Sequence, residues 1–139
     1  MAIYLLDTST VSMLEFANKS IVQAVDEHSG HELVICTVIV DEVLSGWYTM
    51  LRKAKTTQAQ AKAHASLAES FEVLSRFSVI PMTQSSLEVA RDLFKSKLNI
   101  GNIDLKIAAL ALELDATVVT NNIRDFSRVP GLKFEDWSV

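Results

Sequence analysis

Four carboxylates stand out in this chain because of where they fall, not because they are acidic. Asp7 directly follows the apolar run AIYLL, Ala2 to Leu6. Glu42 lies one turn into a helical pattern that follows a second apolar run, LVIC, Leu33 to Cys36. Asp104 sits just after Gly101-Asn102, in the first turn of an Ala- and Leu-rich helical stretch. Asp125 comes five residues after the apolar run TVVT, within TNNIRDF. Each has an ordinary explanation when taken alone. Asp7 can cap the next helix, in competition with Thr8 and Ser9. Glu42 can be a solvated surface acid, Asp104 can answer a helix dipole, and Asp125 can shape a turn.

Together they are more specific. Three follow strand-like runs by one to six residues, and the fourth opens a helix that leads into a strand. In a parallel α/β sheet all four then face the crevice beyond the carboxyl ends of the strands, where ligands bind. Carboxylates gathered there repel one another, and without counter-charge their pKa values rise. No Lys or His stands beside them in sequence to supply that charge. A hard divalent cation resolves the repulsion, and Mg²⁺ or Mn²⁺ takes oxygen ligands while keeping waters and binding phosphate. The chemistry implied is metal-assisted phosphoryl transfer, in which the cation polarises a phosphodiester and activates water.

The elements that must position these acids read as an alternation of strands and helices, the mark of an α/β domain with a mostly parallel sheet. Ala2 to Leu6 is apolar without alternation and predicts a strand buried on both faces. A helix to about Asn18 follows, with Thr8 or Ser9 as its cap, then a short helical stretch to about Asp26. The second strand spans Leu33 to Cys36. Thr37 can cap a helix whose apolar stripe is Val40, Val43, Leu44 and Trp47, leaving Glu42 off the buried face beside Ile39 and Gly46. Thr57 to Ser75 predicts a long helix and Phe77 to Ile80 a third strand. Helices follow over about Ser85 to Ser96 and Ile103 to Leu114. A fourth strand, Thr117 to Thr120, and a last short one near Leu132 to Phe134 complete the chain.

The 139 residues contain no repeat, low-complexity stretch or linker, and predict one domain over 1–139. A hydrophobic share of 49% with four Gly and two Pro excludes a disordered chain. The longest clearly apolar run, Leu33 to Val40, is too short to cross a membrane, and the start MAIYLLD lacks a signal peptide's basic region. Cys36 is the single cysteine, which rules out an internal disulfide and fits a cytoplasmic protein. Net charge is -4, which argues against a simple phosphate-coating nucleic-acid binder. The charge is uneven, however. Residues 1–42 carry seven acids and one base, while 43–68 carry no acid and four bases, Arg52, Lys53, Lys55 and Lys62.

The strings LLDTST, VIVDEVLSG and GNIDLKIAALALELDATVVTNNIRDFSRVPGLKFEDW resemble the PIN-domain ribonucleases, and more narrowly the VapC-type toxins of bacterial toxin–antitoxin pairs. The match covers both ends of the chain and the helix from Val38 to Trp47; residues 50–80 carry little of it. The resemblance implies a three-layer α/β/α fold with a central mostly parallel sheet. It implies an endoribonuclease that uses Mg²⁺ or Mn²⁺, a homodimer, and inhibition by a cognate antitoxin. It makes Asp7, Glu42 and Asp104 the first three catalytic, metal-holding acids. The fourth falls in TNNIRDF, where Asp125 is the choice and Asn121 and Asn122 occupy the spot at which many relatives place an acid. Thr8, Ser9 and Thr120 match small hydroxyl positions lining the site. The basic zone, with Arg52, Lys53 and Lys55 foremost and Lys106 and Arg124 nearer the acids, would hold RNA phosphates.

Other features carry less. His28 and His31 have a Gly between them and no Cys partner, and read as a solvent loop rather than a zinc site. Cys36 reads as core. Trp47, Tyr48, Met50 and Leu51 continue past the core stripe, either as packing or as a surface for a second protomer or an antitoxin helix. No nucleotide-cofactor glycine motif is present. Two competing readings are an aspartate-nucleophile phosphatase, disfavoured by Ser at position 9, and a PIN-like scaffold that binds RNA or protein without cutting.

Overall fold

The computed structural model describes all 139 residues. Five short strands form one sheet: β1 (Ile3–Leu6), β2 (Glu32–Cys36), β3 (Ser78–Ile80), β4 (Thr117–Val119) and β5 (Lys133–Glu135). Their order across the sheet is β3-β2-β1-β4-β5, and every neighbouring pair is parallel. The helices are α1 (Thr8–Glu15), α2 (Lys19–Glu27), α3 (Thr37–Lys53), α4 (Thr57–Leu74), α5 (Gln84–Lys95), α6 (Asn102–Leu114) and α7 (Ile123–Phe126). The chain steps from β1 to β2 and β3 in one direction, then crosses to β4 and β5 in the other. Right-handed crossovers therefore send α1–α4 to one face of the sheet and α5–α7 to the opposite face, giving the three layers expected.

The reversal in direction matters for function. It occurs at β1, whose carboxyl end lies between the ends of β2 and β4, and a crevice opens at such a switch point. The Asp7 N–H donates to the Val119 carbonyl at 3.0 Å and the Thr10 hydroxyl donates to the same oxygen at 2.8 Å. These bonds tie the chain leaving β1 to the end of β4.

Apolar side chains from both layers close the core. Leu5, Leu6, Val34, Ile35, Val118 and Val119 of the three central strands are all essentially inaccessible. Against them pack Val11 of α1, Ile39 of α3, and Ile107, Leu110 and Ala111 of α6. Ala108 and Ala109 are also buried, and such small residues let α6 lie close to the sheet.

Several expectations are corrected. Asp7, not Thr8 or Ser9, is the N-cap of α1. The cap position of α3 is Cys36, with no side-chain bond, and the Thr37 hydroxyl instead accepts the Met82 N–H at 3.2 Å. The buried stripe of α3 is centred on Ile39 and Val43, with Val40, Leu44 and Trp47 only partly covered. Asp125 belongs to the single helical turn α7 rather than to a loop, because Phe126 is drawn fully into the core. His28 and His31 are not idle loop residues. His28 stacks on Trp137 at 4.2 Å, and both histidine rings meet Tyr4 edge-on at the amino end of the sheet. Pro130-Gly131 makes the turn before β5: Gly131 has φ 77°, and the Leu132 N–H bonds to the Val129 carbonyl at 3.3 Å.

Candidate active site

The fold delivers the acids to one place from four separate elements. Asp7 is the first residue beyond β1 and is 4% exposed. Its carboxylate is held by its capping role: Oδ1 accepts the Thr10 N–H at 3.0 Å and the Ser9 hydroxyl at 2.7 Å. The cap and the site are thus the same side chain, and the two readings of Asp7 are not alternatives. Glu42, on the second turn of α3, is part-buried and accepts a hydrogen bond from the Thr8 hydroxyl on α1. Asp104 lies in the first turn of α6, where the amide dipoles favour a negative charge.

Asp125 reaches the cluster through Asn122. The Asn122 side-chain amide donates to Asp104 Oδ2 at 3.2 Å and to Asp125 Oδ2 at 3.0 Å. The other oxygen of Asp125 faces Arg128, whose Nη1 lies 3.4 Å away. Thr120 is fully buried, and its hydroxyl accepts the Asn122 N–H at 2.8 Å. Ser9 joins the two halves, because its hydroxyl also accepts the Asn121 N–H at 3.4 Å. All three small hydroxyl residues singled out in the sequence, Thr8, Ser9 and Thr120, therefore hydrogen-bond within the site.

Electrostatics reports the same convergence. The Asp104 carboxyl is pushed up from 3.8 to about 6, first by burial and next by the charge of Asp7. The Asn122 hydrogen bond works against that rise, while Asp125 and Glu42 add smaller repulsions. One acid thus feels the other three, and only Asp125 has a cationic partner beside it. Such a cluster has an excess of negative charge that a cation would relieve.

The donor set is carboxylate oxygen throughout, with no thiolate or imidazole, and this fits Mg²⁺ or Mn²⁺ rather than a softer metal. No three acidic side chains form a ready-made cage. An ion here would share its coordination with water and phosphate oxygen, which suits Mg²⁺, an ion that dehydrates reluctantly. Asp7, Glu42 and Asp104, which are the acids without a cationic partner, are the residues that could hold it. Cys36 takes no part, since burial pushes its thiol up and leaves it an inert core group.

A cleft of about 430 Å³ leads out of the site between α1 and α3, lined by Thr8, Ser12, Glu42, Gly46 and Trp47. Phe16 and Met50 border it and also line a second, mostly apolar hollow of about 410 Å³ that contains Lys53 and Lys62. Two bases of the basic zone, Lys53 and Lys62, thus line a hollow that shares Phe16, Trp47 and Met50 with the cleft beside Glu42. Lys106 is turned instead into the groove between α5 and α6, with Leu87, Arg91 and Phe94. Arg128 is a site residue that sequence reasoning misses; its only signal there is its place one helical turn after Asp125.

Residues 4–132 match the PIN domain family. The chain is 32% identical over 109 residues to Ribonuclease VapC2 of Rickettsia felis, covering 76% of this chain and 74% of that protein. It is 29% identical over 141 residues to Ribonuclease VapC1 of Haemophilus influenzae, covering 98% of each. The fold is similar to that of VapBC2 from Rickettsia felis, solved bound to a DNA fragment from its promoter, with a TM-score of 0.76, 28% identity and coverage of 97% and 98%. The crevice at the switch point, the acids that meet there and these relatives agree: the chain belongs to the PIN-domain family, among the VapC ribonucleases.

Proposed function

We propose that the protein is a Mg²⁺- or Mn²⁺-dependent endoribonuclease and the toxin of a toxin–antitoxin pair. The observation that carries the reading is the meeting of Asp7, Glu42, Asp104 and Asp125 at the carboxyl ends of parallel strands, with Asp104 raised to about 6 by burial and by its acidic neighbours. A bound divalent ion supplies Lewis acidity toward a phosphodiester oxygen and lowers the pKa of bound water. Asp7, Glu42 and Asp104 would hold that ion. Thr8 fixes Glu42, and Ser9 fixes Asp7, so neither carboxylate has to be ordered when substrate arrives. Hydrolysis then adds water across the phosphorus–oxygen bond, and the leaving ribose oxygen takes a proton. Lys53 and Lys62, which line the hollow next to the cleft, hold phosphates beyond the acids.

The acidic site repels RNA until the ion neutralises it, which reconciles a net charge of -4 with a nucleic-acid substrate. The cognate antitoxin restrains the enzyme, a reading supported by the toxin–antitoxin complexes among the structural relatives. Phe16, Trp47 and Met50 give it an apolar seat beside the acids. A homodimer is the assembly expected, and light scattering of the purified chain checks it.

Incubating labelled RNA with the protein and Mg²⁺ or Mn²⁺, with and without EDTA, tests the reading. Cleavage that stops with EDTA and is lost in Asp7→Asn and Asp104→Asn is the expected result. Cleavage indifferent to EDTA, or surviving both substitutions, overturns it.

A further inference from the structure

Of the four acids only Asp125 is already spoken for on both oxygens by side chains outside the cluster's own backbone. Its Oδ1 faces Arg128 Nη1 at 3.4 Å and its Oδ2 accepts the Asn122 amide at 3.0 Å. The pair is part-buried, with the Arg128 side chain 30% and the Asp125 side chain 29% exposed, so it is less screened than a surface ion pair. The same Nη1 of Arg128 donates to the Asn99 carbonyl at 2.8 Å. Asn99 has φ 60°, a left-handed turn that Asn tolerates, and it lies three residues before α6 begins. Arg128 therefore joins α7 to the loop from which Asp104 is launched.

The direction of the bonds matters. An amide NH₂ group has two protons, and Asn122 gives one to Asp125 and one to Asp104. Flanked by two carboxylates, the amide must present its nitrogen and not its oxygen. Remove Asp125, or let it swing, and the amide keeps only its bond to Asp104; its nitrogen still faces that carboxylate, but nothing on the far side fixes where the amide sits, so Asp104 loses a fixed donor. We infer that Arg128 is a positioning residue which, acting through Asp125 and Asn122, orients the Asp104 carboxylate, and that Asp125 serves this chain of hydrogen bonds rather than the ion. The inference rests on the metal-nuclease reading and refines the part Asp125 plays in it.

Groups that orient metal ligands from behind change affinity by roughly 10–100-fold when removed. Mn²⁺ affinity by calorimetry, without RNA, separates the possibilities. Wild type, D104N, R128Q, R128K, N122A and the R128Q/N122A double variant are compared, with metal-free thermal unfolding of each recorded alongside. The expected result is about tenfold weaker Mn²⁺ binding in R128Q and in N122A, with the double variant no weaker than about the worse single. Two members of one chain should not add. R128K, which keeps the charge, returns to within about threefold of wild type. If Asp125 were itself holding the ion, freeing it from Arg128 would leave Mn²⁺ binding unchanged or tighter in R128Q, and that overturns the inference. A lower unfolding temperature with unchanged affinity means Arg128 is merely structural and overturns it equally. Should R128Q not fold, N122A decides alone: wild-type affinity there refutes the chain. A wild-type protein that binds no Mn²⁺, or a D104N variant that binds it normally, refutes the underlying nuclease reading instead.

Discussion

Replacing Asp104 by Asn should make the metal-free protein more stable at neutral pH while destroying its activity. The carboxyl is raised from 3.8 to about 6 in the folded chain, so the folded state binds this proton more tightly than the unfolded state does. Linkage then has a definite sign. Stability is greatest below about pH 4, falls as pH rises toward 6 and is flat above, because ionising Asp104 costs more in the fold than out of it. At 1.36 kcal/mol per pH unit the whole displacement corresponds to about 3 kcal/mol. The side chain is only part-buried, and screening reduces this to about 1–2 kcal/mol. Asn also forgoes the favourable charge at the start of α6, about 0.3–1 kcal/mol. The net expectation is about 1 kcal/mol in favour of D104N at pH 7.5, or about 2–5 °C in unfolding temperature for a domain of this size.

Thermal unfolding by circular dichroism in EDTA, at pH 4, 5, 6 and 7.5, measures it. The advantage of D104N should be absent at pH 4 and grow to its full size by about pH 6.5. Saturating Mn²⁺ should then invert the order, since a ligand at a hundred times its dissociation constant adds about 2.7 kcal/mol to wild type and little to a variant that cannot hold it. A D104N protein less stable than wild type by the same margin at pH 4 and 7.5 would show that Asp104 is a structural residue, and the electrostatic argument for the site would fail.

Asp7 offers a complementary separation. Asn is as good an N-cap as Asp, so Asp7→Asn should unfold within about 2 °C of wild type yet cleave RNA at least about a hundredfold more slowly. Asp7→Ala, which also removes the bonds from Thr10 and Ser9, should cost about 1–2 kcal/mol in urea unfolding. Charge reversal at Arg52, Lys53 and Lys55 should weaken RNA binding and reduce its salt slope by about 0.7 for each phosphate no longer neutralised; an unchanged slope by fluorescence titration refutes the basic zone. Phe126→Ala empties the pocket that anchors α7, with an expected destabilisation of about 3–5 kcal/mol by chemical denaturation.

How much of the site is legible in the sequence depends on the range of the interaction. A strand end marks Asp7, and its place one turn into the helix after β2 marks Glu42; both signals are local. Asp104 is marked by Gly101-Asn102, which break the chain just before α6. Two local readings fail where tertiary packing overrides them. The apolar spacing of α3 points to Val40, Leu44 and Trp47, yet Ile39 is the residue fully covered, because α3 starts directly at the end of β2 and lays its first turn over the core. Nothing in TNNIRDF shows that Phe126 is pulled inward, so the segment holding Asp125 reads as a loop although it is a helical turn. Arg128 is invisible as a site residue, since its meaning comes from Asn99, twenty-nine residues away in sequence and adjacent only once α6 is docked.

That difference in range suggests how the site keeps its order without a cation. Acids brought together by the sheet must be restrained by something other than attraction, since they repel one another. Each is therefore tied to a neighbour that is itself fixed: Asp7 to its own helix cap, Glu42 to Thr8 across two helices, Asp104 to Asn122, and Asp125 to both Asn122 and Arg128. Three of these ties are neutral and leave the negative charge intact; the fourth carries the only cation. On the metal-nuclease reading such a site stays poised for a divalent ion, because neutral donors hold the carboxylates in place without competing for their charge. Were a lysine in the position of Thr8 or Asn122, the cluster would be more stable when empty and weaker as a metal site. Thr8→Lys tests the trade directly: it should raise the metal-free unfolding temperature and weaken Mn²⁺ binding together, and a variant that unfolds later yet binds Mn²⁺ more tightly would break the argument.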